Sequence, residues 1–258
     1  MHATFVICFH TARIDNLLQT LRMLVSRDRD VVVDSAVELV CQDDCNLLSE
    51  DKLEELERLR ETFRRSRVTD LDLEEMHLPY MTNVGVENAS DRIVVLESDR
   101  VLPSGYFAAV LQELRDGVQF SCRTMLNLMG PVPDEFLESG HYSFRSEGRG
   151  ATPGVKNVWS GNTVITKRDF CESGRMDEFY KGYGWADSDM MMATAAKGLR
   201  TVLRDERELH LWHVKSTYCK GEYRDRFVEN GLYFCRKWGQ TFPDCLREKL
   251  TKGKERIL

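Results

Sequence analysis

The chain has 258 residues, of which 42% are hydrophobic, 30% charged and 9% aromatic. This length supports one large domain or two small ones, and the low proline and glycine content excludes collagenous and largely disordered chains. A formal net charge of −6 excludes a general electrostatic attraction to nucleic acid and leaves only local basic surfaces. The sequence contains neither a signal peptide nor an apolar run of the roughly 20 residues that a membrane span needs, so we expect a soluble, cytoplasmic protein.

Strands and helices alternate through residues 1–115. The predicted strands are Phe5–Phe9, Ala36–Cys41, Val68–Leu73 and Arg92–Leu96, and the predicted helices are Ile14–Val25, Leu47–Arg67, Tyr80–Ser90 and Pro103–Leu114. This alternation predicts an α/β fold with a mostly parallel central sheet flanked by helices on both faces. Ligands of such sheets bind at the carboxyl ends of the strands. The polar residues expected at these ends are Thr11, Arg13, Asp43, Asp44, Glu97 and Asp99.

The pattern is less regular in residues 116–258. The predicted strands are Val118–Leu126, Val158–Thr166, Arg200–Leu203 and Glu208–Trp212, and the predicted helices are Arg168–Gly174, Met190–Gly198 and Phe227–Trp238. Gly130–Asn157 has no clear period, and a loop of this length inside a compact domain is typical of a lid or a binding loop. We expect a single domain over residues 1–258, with no internal repeat.

Glu97-Ser98-Asp99 follows the most regular strand of the sequence. Two carboxylates two residues apart on a turn can face one hard cation, and Mg²⁺ or Mn²⁺ bound in this way keeps positions open for substrate phosphates. The alternative is a solvated acidic turn, or a helix cap formed by Asp99. The residues alone leave both interpretations open.

The segment 182–189 combines two glycines, two large aromatic side chains and two carboxylates. Tyr183 and Trp185 offer flat faces that suit a sugar ring or a base. Asp187 and Asp189 are expected at the start of a helix, where the helix dipole favours negative charge. One of them is sufficient as a cap, and the second suggests a general base. His213 is expected at a strand end as a structural residue or a metal ligand, whereas His210 favours the structural interpretation.

The eight cysteines are scattered and form no Cys-x-x-Cys pair. A chain of this size needs no disulfide framework, and several of the cysteines lie in apolar segments where a free thiol packs as a small hydrophobic group. The sequence therefore does not predict a structural zinc site.

The order and spacing of several motifs resemble inverting glycosyltransferases of the GT-A fold, which is Rossmann-like. The likeness is to family 2-like members with a galactosyltransferase-type C-terminal segment, and it covers nearly the whole chain. The residues that carry it are Asn83-Val84-Gly85-Val86 with Ala89, Arg92–Asp99, Ser160–Thr166, Phe170, Gly174, Asp177-Glu178, Gly182–Met190, Leu211-Trp212-His213, Asn230, Phe234 and Lys237-Trp238-Gly239.

This resemblance implies a metal-dependent hexosyltransferase that moves a sugar from a nucleotide-sugar, here expected to be a UDP-sugar, to an acceptor hydroxyl. Residues 1–115 would form the nucleotide-sugar-binding half and residues 116–258 the acceptor-binding and catalytic half. The implied cofactor is Mn²⁺ or Mg²⁺, with Asp99, His213 and Glu97 as its ligands. Asp187 would be the general base. The implied donor-binding residues are Thr11, Arg13, Asp43, Asp44, Asn83, Glu97, Ser98, Gly161 and Asn162, and the implied acceptor-binding residues are Tyr183, Trp185 and Asp189.

The sequence departs from the family pattern at two positions. Glu97 replaces the first Asp of the family's Asp-x-Asp motif, and Ala186 replaces a Glu that usually contacts the acceptor. These changes keep open a catalytically weak sugar- or nucleotide-binding pseudoenzyme. The acceptor stays open among a glycan, a protein, a lipid and a hydroxymethylated DNA base. The arginines of 58–67 would suit a phosphate-bearing acceptor, although they equally fit a solvated helix face.

Overall fold

In a computed structural model of the protein, residues 2–140, 144–148, 162–182, 184–213 and 222–240 are described, with the backbone alone for 144–148 and 222–224. One continuous mixed sheet runs through these residues in the order β3-β2-β1-β4-β8-β6-β9-β5, and β7 pairs with β6. The strands are β1 (Thr4–Phe9), β2 (Ala36–Cys41), β3 (Arg65–Asp70), β4 (Arg92–Glu97), β5 (Arg100–Val101), β6 (Val118–Leu128), β7 (Phe144–Gly148), β8 (Asn162–Thr166) and β9 (Arg200–His210).

The first four strands of the chain are parallel neighbours, as the alternation of strands and helices predicts. In the second half, β8 runs antiparallel to β4, β6 runs antiparallel to β8, and β9 runs parallel to β6. Strands from residues 1–115 and from residues 116–258 therefore share one sheet. The carboxyl ends of β1, β2 and β4 meet at one edge of it.

Helices cover both faces of the sheet. They are α1 (Ile14–Arg27), α2 (Arg29–Val32), α3 (Glu50–Arg60), α4 (Leu78–Glu87), α5 (Tyr106–Glu113), α6 (Asp134–Ser139), α7 (Lys167–Glu172), α8 (Ala186–Ala196) and α9 (Glu222–Trp238). Strand β1 shows why both faces need cover, because Phe5 and Ile7 join the core formed with α1, α3 and α5 while Val6 joins the core formed with α8 and α9. Among the described residues, no helix is long and apolar enough to cross a membrane.

Gly85 explains how closely α4 approaches the sheet. A Cβ atom at this position would lie 2.4 Å from Val6 Cγ1 and 3.2 Å from Val40 Cγ2. Only a residue without a side chain allows the helix to pack at this distance from β1 and β2.

Several predicted boundaries are wrong. The helix predicted to continue to Arg67 ends at Arg60, because residues 65–70 pair in register with β2 as an edge strand. The arginine-rich sequence at the start of this strand resembles a charged helix face, and for this reason its first residues were predicted as part of the helix. Residues 200–210 form one strand where two were predicted, and the predicted loop at 130–157 contains α6 and β7. The helix predicted from Met190 begins at Ala186, so Asp187 lies in its first turn.

Candidate functional site

The turn after β4 is joined to the end of β9. The short strand β5 runs antiparallel to β9 and places Arg100 opposite His210. The backbone N–H of Leu211 donates to the carbonyl oxygen of Asp99 at 2.9 Å. Thr20 on α1 supports the same turn through a 3.0 Å hydrogen bond from its hydroxyl to the Ser98 carbonyl oxygen. The pairing of β5 with β9 and the Leu211–Asp99 bond bring together groups that are more than a hundred residues apart in the chain.

Asp99, His210 and His213, here called the Asp99 cluster, direct their polar atoms at one another. Asp99 Oδ2 lies 3.2 Å from His210 Nε2 and 3.5 Å from His213 Nε2, and the three ligand atoms all lie within 4.8 Å. His210 Nδ1 contacts the side chain of Asn127, and its Nε2 faces the cluster. A carboxylate and two imidazoles suit a divalent transition-metal ion.

The buried carboxylate of Asp99 also fits such an ion. Its side chain is 6% exposed, and Oδ1 accepts no hydrogen bond from the described residues. Arg100 Nε lies 3.4 Å from Oδ1, and Arg13 Nη1 lies 3.5 Å from Oδ2. Burial disfavours ionisation, but the charge of Arg100, the hydrogen bond with His210 and the charge of Arg13 outweigh it and hold the pKa of Asp99 well below its usual range. The carboxylate is therefore ionised and ready to bind a cation.

Glu97 lies beside this cluster but belongs to a different interaction. Arg100 Nε donates to Glu97 Oε2 at 2.7 Å, and its terminal nitrogen contacts the same oxygen. Arg100 is 8% exposed and lies between Glu97 and Asp99. In this structure the Glu97 carboxylate neutralises a buried arginine, and the groups whose ligand atoms come together with Asp99 are His210 and His213, so a metal contact of Glu97 stays a prediction.

Thr11 and Asp43 form a pair across the ends of β1 and β2. The Thr11 backbone N–H donates to Asp43 Oδ1 at 3.0 Å, and the Thr11 hydroxyl contacts Oδ2. Burial alone would raise the pKa of Asp43, but these bonds, together with one from Cys41, lower it below its ordinary value. The two predicted donor-binding residues are thus neighbours, as the strand order implies.

Asp44 has a local structural role. Its Oδ1 accepts hydrogen bonds from the backbone N–H and the side-chain amide of Asn46, both at 2.8 Å, and caps the 3-10 turn Cys45–Leu47. The Asp44 carboxylate is thus used in folding the loop, and its contact with the donor stays a prediction.

Three further predicted binding residues hold the interior of the protein together. Asn83 bonds with the backbone of Met176 in both directions, Asn162 Oδ1 accepts from the Tyr106 hydroxyl, and Asp189 accepts from Tyr180, Lys237 and Trp238. Their exposed fractions are 5%, 0% and 1%. Their predicted contacts with a donor or an acceptor stay predictions. The other predicted donor residue of this turn, Ser98, is also buried.

The start of α8 positions Asp187. Gly184 has φ of +90°, and a Cβ atom there would lie 2.5 Å from the Phe227 ring on α9. Trp185, the residue before the helix, has φ of +73° and packs its ring against Phe227 and Phe234 at centroid distances of 5.6 and 5.2 Å. This packing fixes the start of α8, and the half-buried Asp187 in its first turn interacts electrostatically with Arg100.

Two predicted residues, Gly161 and Tyr183, lie outside the described residues. Sequence reasoning missed His210 and Arg100. The signal for His210 was its spacing of three from His213 across a strand end, and for Arg100 its position directly after Asp99. Neither signal is specific until the pairing of β5 with β9 is known.

Comparison with known proteins supports the fold. No protein-family model matches the chain, and no curated protein matches it by sequence. Among solved structures, GalNAc-T7 with UDP, GalNAc and Mn²⁺ has a TM-score of 0.62 at 15% identity, covering 96% of this chain and 54% of that one. The mannosyltransferase PcManGT from Pyrobaculum calidifontis, in complex with GDP-Man and Mn²⁺, has a TM-score of 0.60 at 15% identity, covering 97% and 69%.

A third similar structure is S. aureus TarS 1–349 in complex with UDP-GlcNAc, with a TM-score of 0.55 at 12% identity, covering 91% of this chain and 67% of that one. In the comparison with GalNAc-T7, the chain spans about half the length of the similar protein. These structures confirm the predicted fold: the chain is a mixed α/β protein with the architecture of GT-A glycosyltransferases.

Proposed function

We propose that the protein is a metal-dependent, inverting glycosyltransferase that uses a nucleotide-sugar donor. The single observation that carries this proposal is the Asp99 cluster, which follows the carboxyl end of β4 and lies beside Arg100, with which Asp187 interacts electrostatically. The similar structures of this fold that hold UDP or GDP-Man also hold Mn²⁺, which favours the same chemistry here. A UDP-sugar is the proposed donor.

Asp99, His210 and His213 would hold the divalent ion. When bound, such an ion neutralises the negative charge that develops on the leaving diphosphate. Arg13, 3.5 Å from Asp99, adds a second positive charge at the same edge of the sheet. The Thr11–Asp43 pair, at the neighbouring strand ends, would bind the nucleoside end of the donor.

Asp187 would act as the general base. Its carboxylate accepts the proton of the acceptor hydroxyl while the hydroxyl oxygen attacks the anomeric carbon of the donor sugar. The bond from that carbon to the diphosphate oxygen breaks, and the electron pair leaves with the nucleoside diphosphate. Attack from the face opposite the leaving group inverts the configuration. Trp185 would line the acceptor side of this centre.

The test is release of nucleoside diphosphate from a panel of UDP-sugars and GDP-Man with Mn²⁺. We expect turnover with one donor, and a fall in kcat of about 10²–10⁴-fold for Asp187→Asn. Ser188→Ala, on the next residue of the same helix, serves as the matched control and keeps its rate. Full activity of Asp187→Asn would show that another group is the base.

Donor binding measured by thermal shift separates this proposal from a pseudoenzyme. A donor that stabilises the wild-type protein in the presence of Mn²⁺ without any turnover would favour sugar binding alone. A panel of glycan, peptide, lipid and hydroxymethylated DNA acceptors then identifies the class of acceptor. If the donor loses its sugar only when one of these acceptors is present, the class of that acceptor is assigned.

A further inference from the structure

A second group of ligand atoms lies at the same edge of the sheet, beside the Thr11–Asp43 pair. Cys41 and Asp70 are register partners at the ends of the parallel strands β2 and β3, and Cys45 follows in the 3-10 turn. We call these three residues the Cys41 cluster. Their ligand atoms, two sulfurs and one carboxylate oxygen, all lie within 4.8 Å of one another.

The burial of the three residues differs in a way that suits an ion entering from solvent. Cys41 is fully buried, Cys45 is 8% exposed, and Asp70 is exposed. The sulfurs thus form the floor of the cluster and the carboxylate its rim. The backbone N–H of Cys45 donates to Asp70 Oδ1 at 3.2 Å, which orients the carboxylate over the two sulfurs.

We propose that the Cys41 cluster is a binding site for a thiophilic divalent ion, foremost Zn²⁺, held by Cys41 Sγ, Cys45 Sγ and an Asp70 oxygen. Zinc accepts this mixture of sulfur and oxygen ligands with a tetrahedral geometry. Bonds of about 2.3 Å would place two ligated sulfurs roughly 3.8 Å apart. The two sulfurs lie within 4.8 Å of each other, so small side-chain movements would bring them to the distance that a zinc ion requires. Water would complete the fourth position at the exposed side.

The ion would fix the loop that carries Asp43. In the metal-free arrangement Cys41 Sγ donates to Asp43 Oδ1 at 3.2 Å, and Asp43 in turn accepts from Thr11. The hydrogen bond with Cys45, together with burial, raises the pKa of the Cys41 thiol, so an incoming ion must displace its proton. Binding would join β2, β3 and the 3-10 turn through one centre, next to the Thr11–Asp43 pair.

Cobalt distinguishes this site from the Asp99 cluster, which contains no sulfur. We would titrate the reduced, chelator-treated protein with Co²⁺ under anaerobic conditions and record the thiolate-to-cobalt charge-transfer absorption. The expected result is a band that saturates at one ion per chain and disappears when Zn²⁺ is added. The Asp99→Asn variant should retain the band, so failure of the proposed enzymatic function would leave this result untouched.

Three variants test the ligands. Cys45→Ser should abolish the charge-transfer band. Asp70→Asn should weaken Co²⁺ binding by at least about tenfold, because even the loss of a residue that only supports a ligand typically lowers metal affinity by that factor. Cys171→Ser alters a half-buried cysteine outside the cluster and should leave the titration unchanged. Because Asp70 is exposed, its variant is expected to fold even if a cysteine variant does not.

Two outcomes would overturn the proposal. One is the absence of a charge-transfer band in protein whose thiols are shown to be reduced and free. The other is a band that survives both Cys45→Ser and Asp70→Asn, since that would place the cobalt on other cysteines.

Discussion

The Asp99 cluster and the Cys41 cluster lie at the carboxyl edge of one sheet but are assembled differently. Cys41, Cys45 and Asp70 come from two consecutive parallel strands and the turn between them. Asp99 reaches His210 across 111 residues, through the antiparallel pairing of β5 with β9. The first cluster is therefore formed by local topology, and the second depends on the complete sheet.

The two clusters also differ in their charges. The Asp99 cluster offers nitrogen and oxygen ligands and lies beside the guanidinium groups of Arg13 and Arg100. The Cys41 cluster offers two sulfurs and has an exposed carboxylate at its rim. Nearby arginines favour anionic phosphates as further ligands, whereas buried sulfurs favour a permanently held ion. The two proposed ions would therefore differ in their ligands and in the charges around them.

The largest expected effect follows from removing the charge of Asp99. Asp99→Asn should lower kcat/KM for the donor by about 10³-fold, because loss of a bound divalent ion removes several kcal/mol of transition-state stabilisation. Steady-state nucleotide release measures this loss. Asp70→Asn should leave kcat within about threefold of wild type, since it touches only the other cluster. Equal losses for both variants would break the distinction between the clusters.

His210→Ala should raise the Mn²⁺ concentration for half-maximal activity by about 10–100-fold, because one ligand of the Asp99 cluster is lost. A metal titration of nucleotide release measures the shift. The exposed His2 provides the control, and His2→Ala should show no change. If the metal requirement of His210→Ala is unchanged, His210 is not a ligand and only Asp99 and His213 remain as proposed ligands.

Asp43 joins the Cys41 cluster to Thr11, and its replacement tests that connection. Its pKa is lowered in the folded protein, so its stabilising effect is present above the unfolded pKa of about 3.9 and is lost as the pH falls through the folded value. Asp43→Ala should lower the unfolding free energy by about 1 kcal/mol at neutral pH. Chemical denaturation at several pH values should show the difference shrinking below about pH 4. A difference independent of pH would point to lost packing instead.

The smallest effect concerns the cap of the 3-10 turn. Asp44→Ala should lower the unfolding free energy by about 0.5 kcal/mol, at the weak end for the loss of a cap because the turn is short. Denaturant titration measures this change. Donor KM should stay within about twofold, because the Asp44 carboxylate bonds with Asn46. A large rise in KM would show that the Asp44 carboxylate contacts the donor.

The strands of residues 1–115 were predictable because each is a short apolar run that ends in polar residues. Ala36–Cys41 has the predicted bounds, and the pairing of Thr11 with Asp43 follows from the parallel order of β1 and β2. The edge strand β3 was obscured because its alternating arginines resemble a helix surface. Edge strands with charged side chains are common and carry no apolar signal.

The candidate site was only partly predictable, because sequence shows which polar residues exist but not which are consumed by folding. Asp187 and Asp189 look alike in the sequence, yet Asp189 is 1% exposed and bonded to Tyr180, Lys237 and Trp238, while Asp187 remains half-buried near Arg100. His210 looked structural for the opposite reason, since its partners are distant in sequence. Long-range pairing decides both cases.

The close packing of Gly184 and Trp185 against α9 has a consequence for how the protein can be shortened. A chain ending after His213 would keep Asp99, both histidines and Asp187. It would lose Phe227 and Phe234, whose rings pack against the two residues of positive φ that precede α8. Such a chain would retain the groups of the proposed site without the helix that packs against the start of α8, so α9 supports the geometry of that site from outside it.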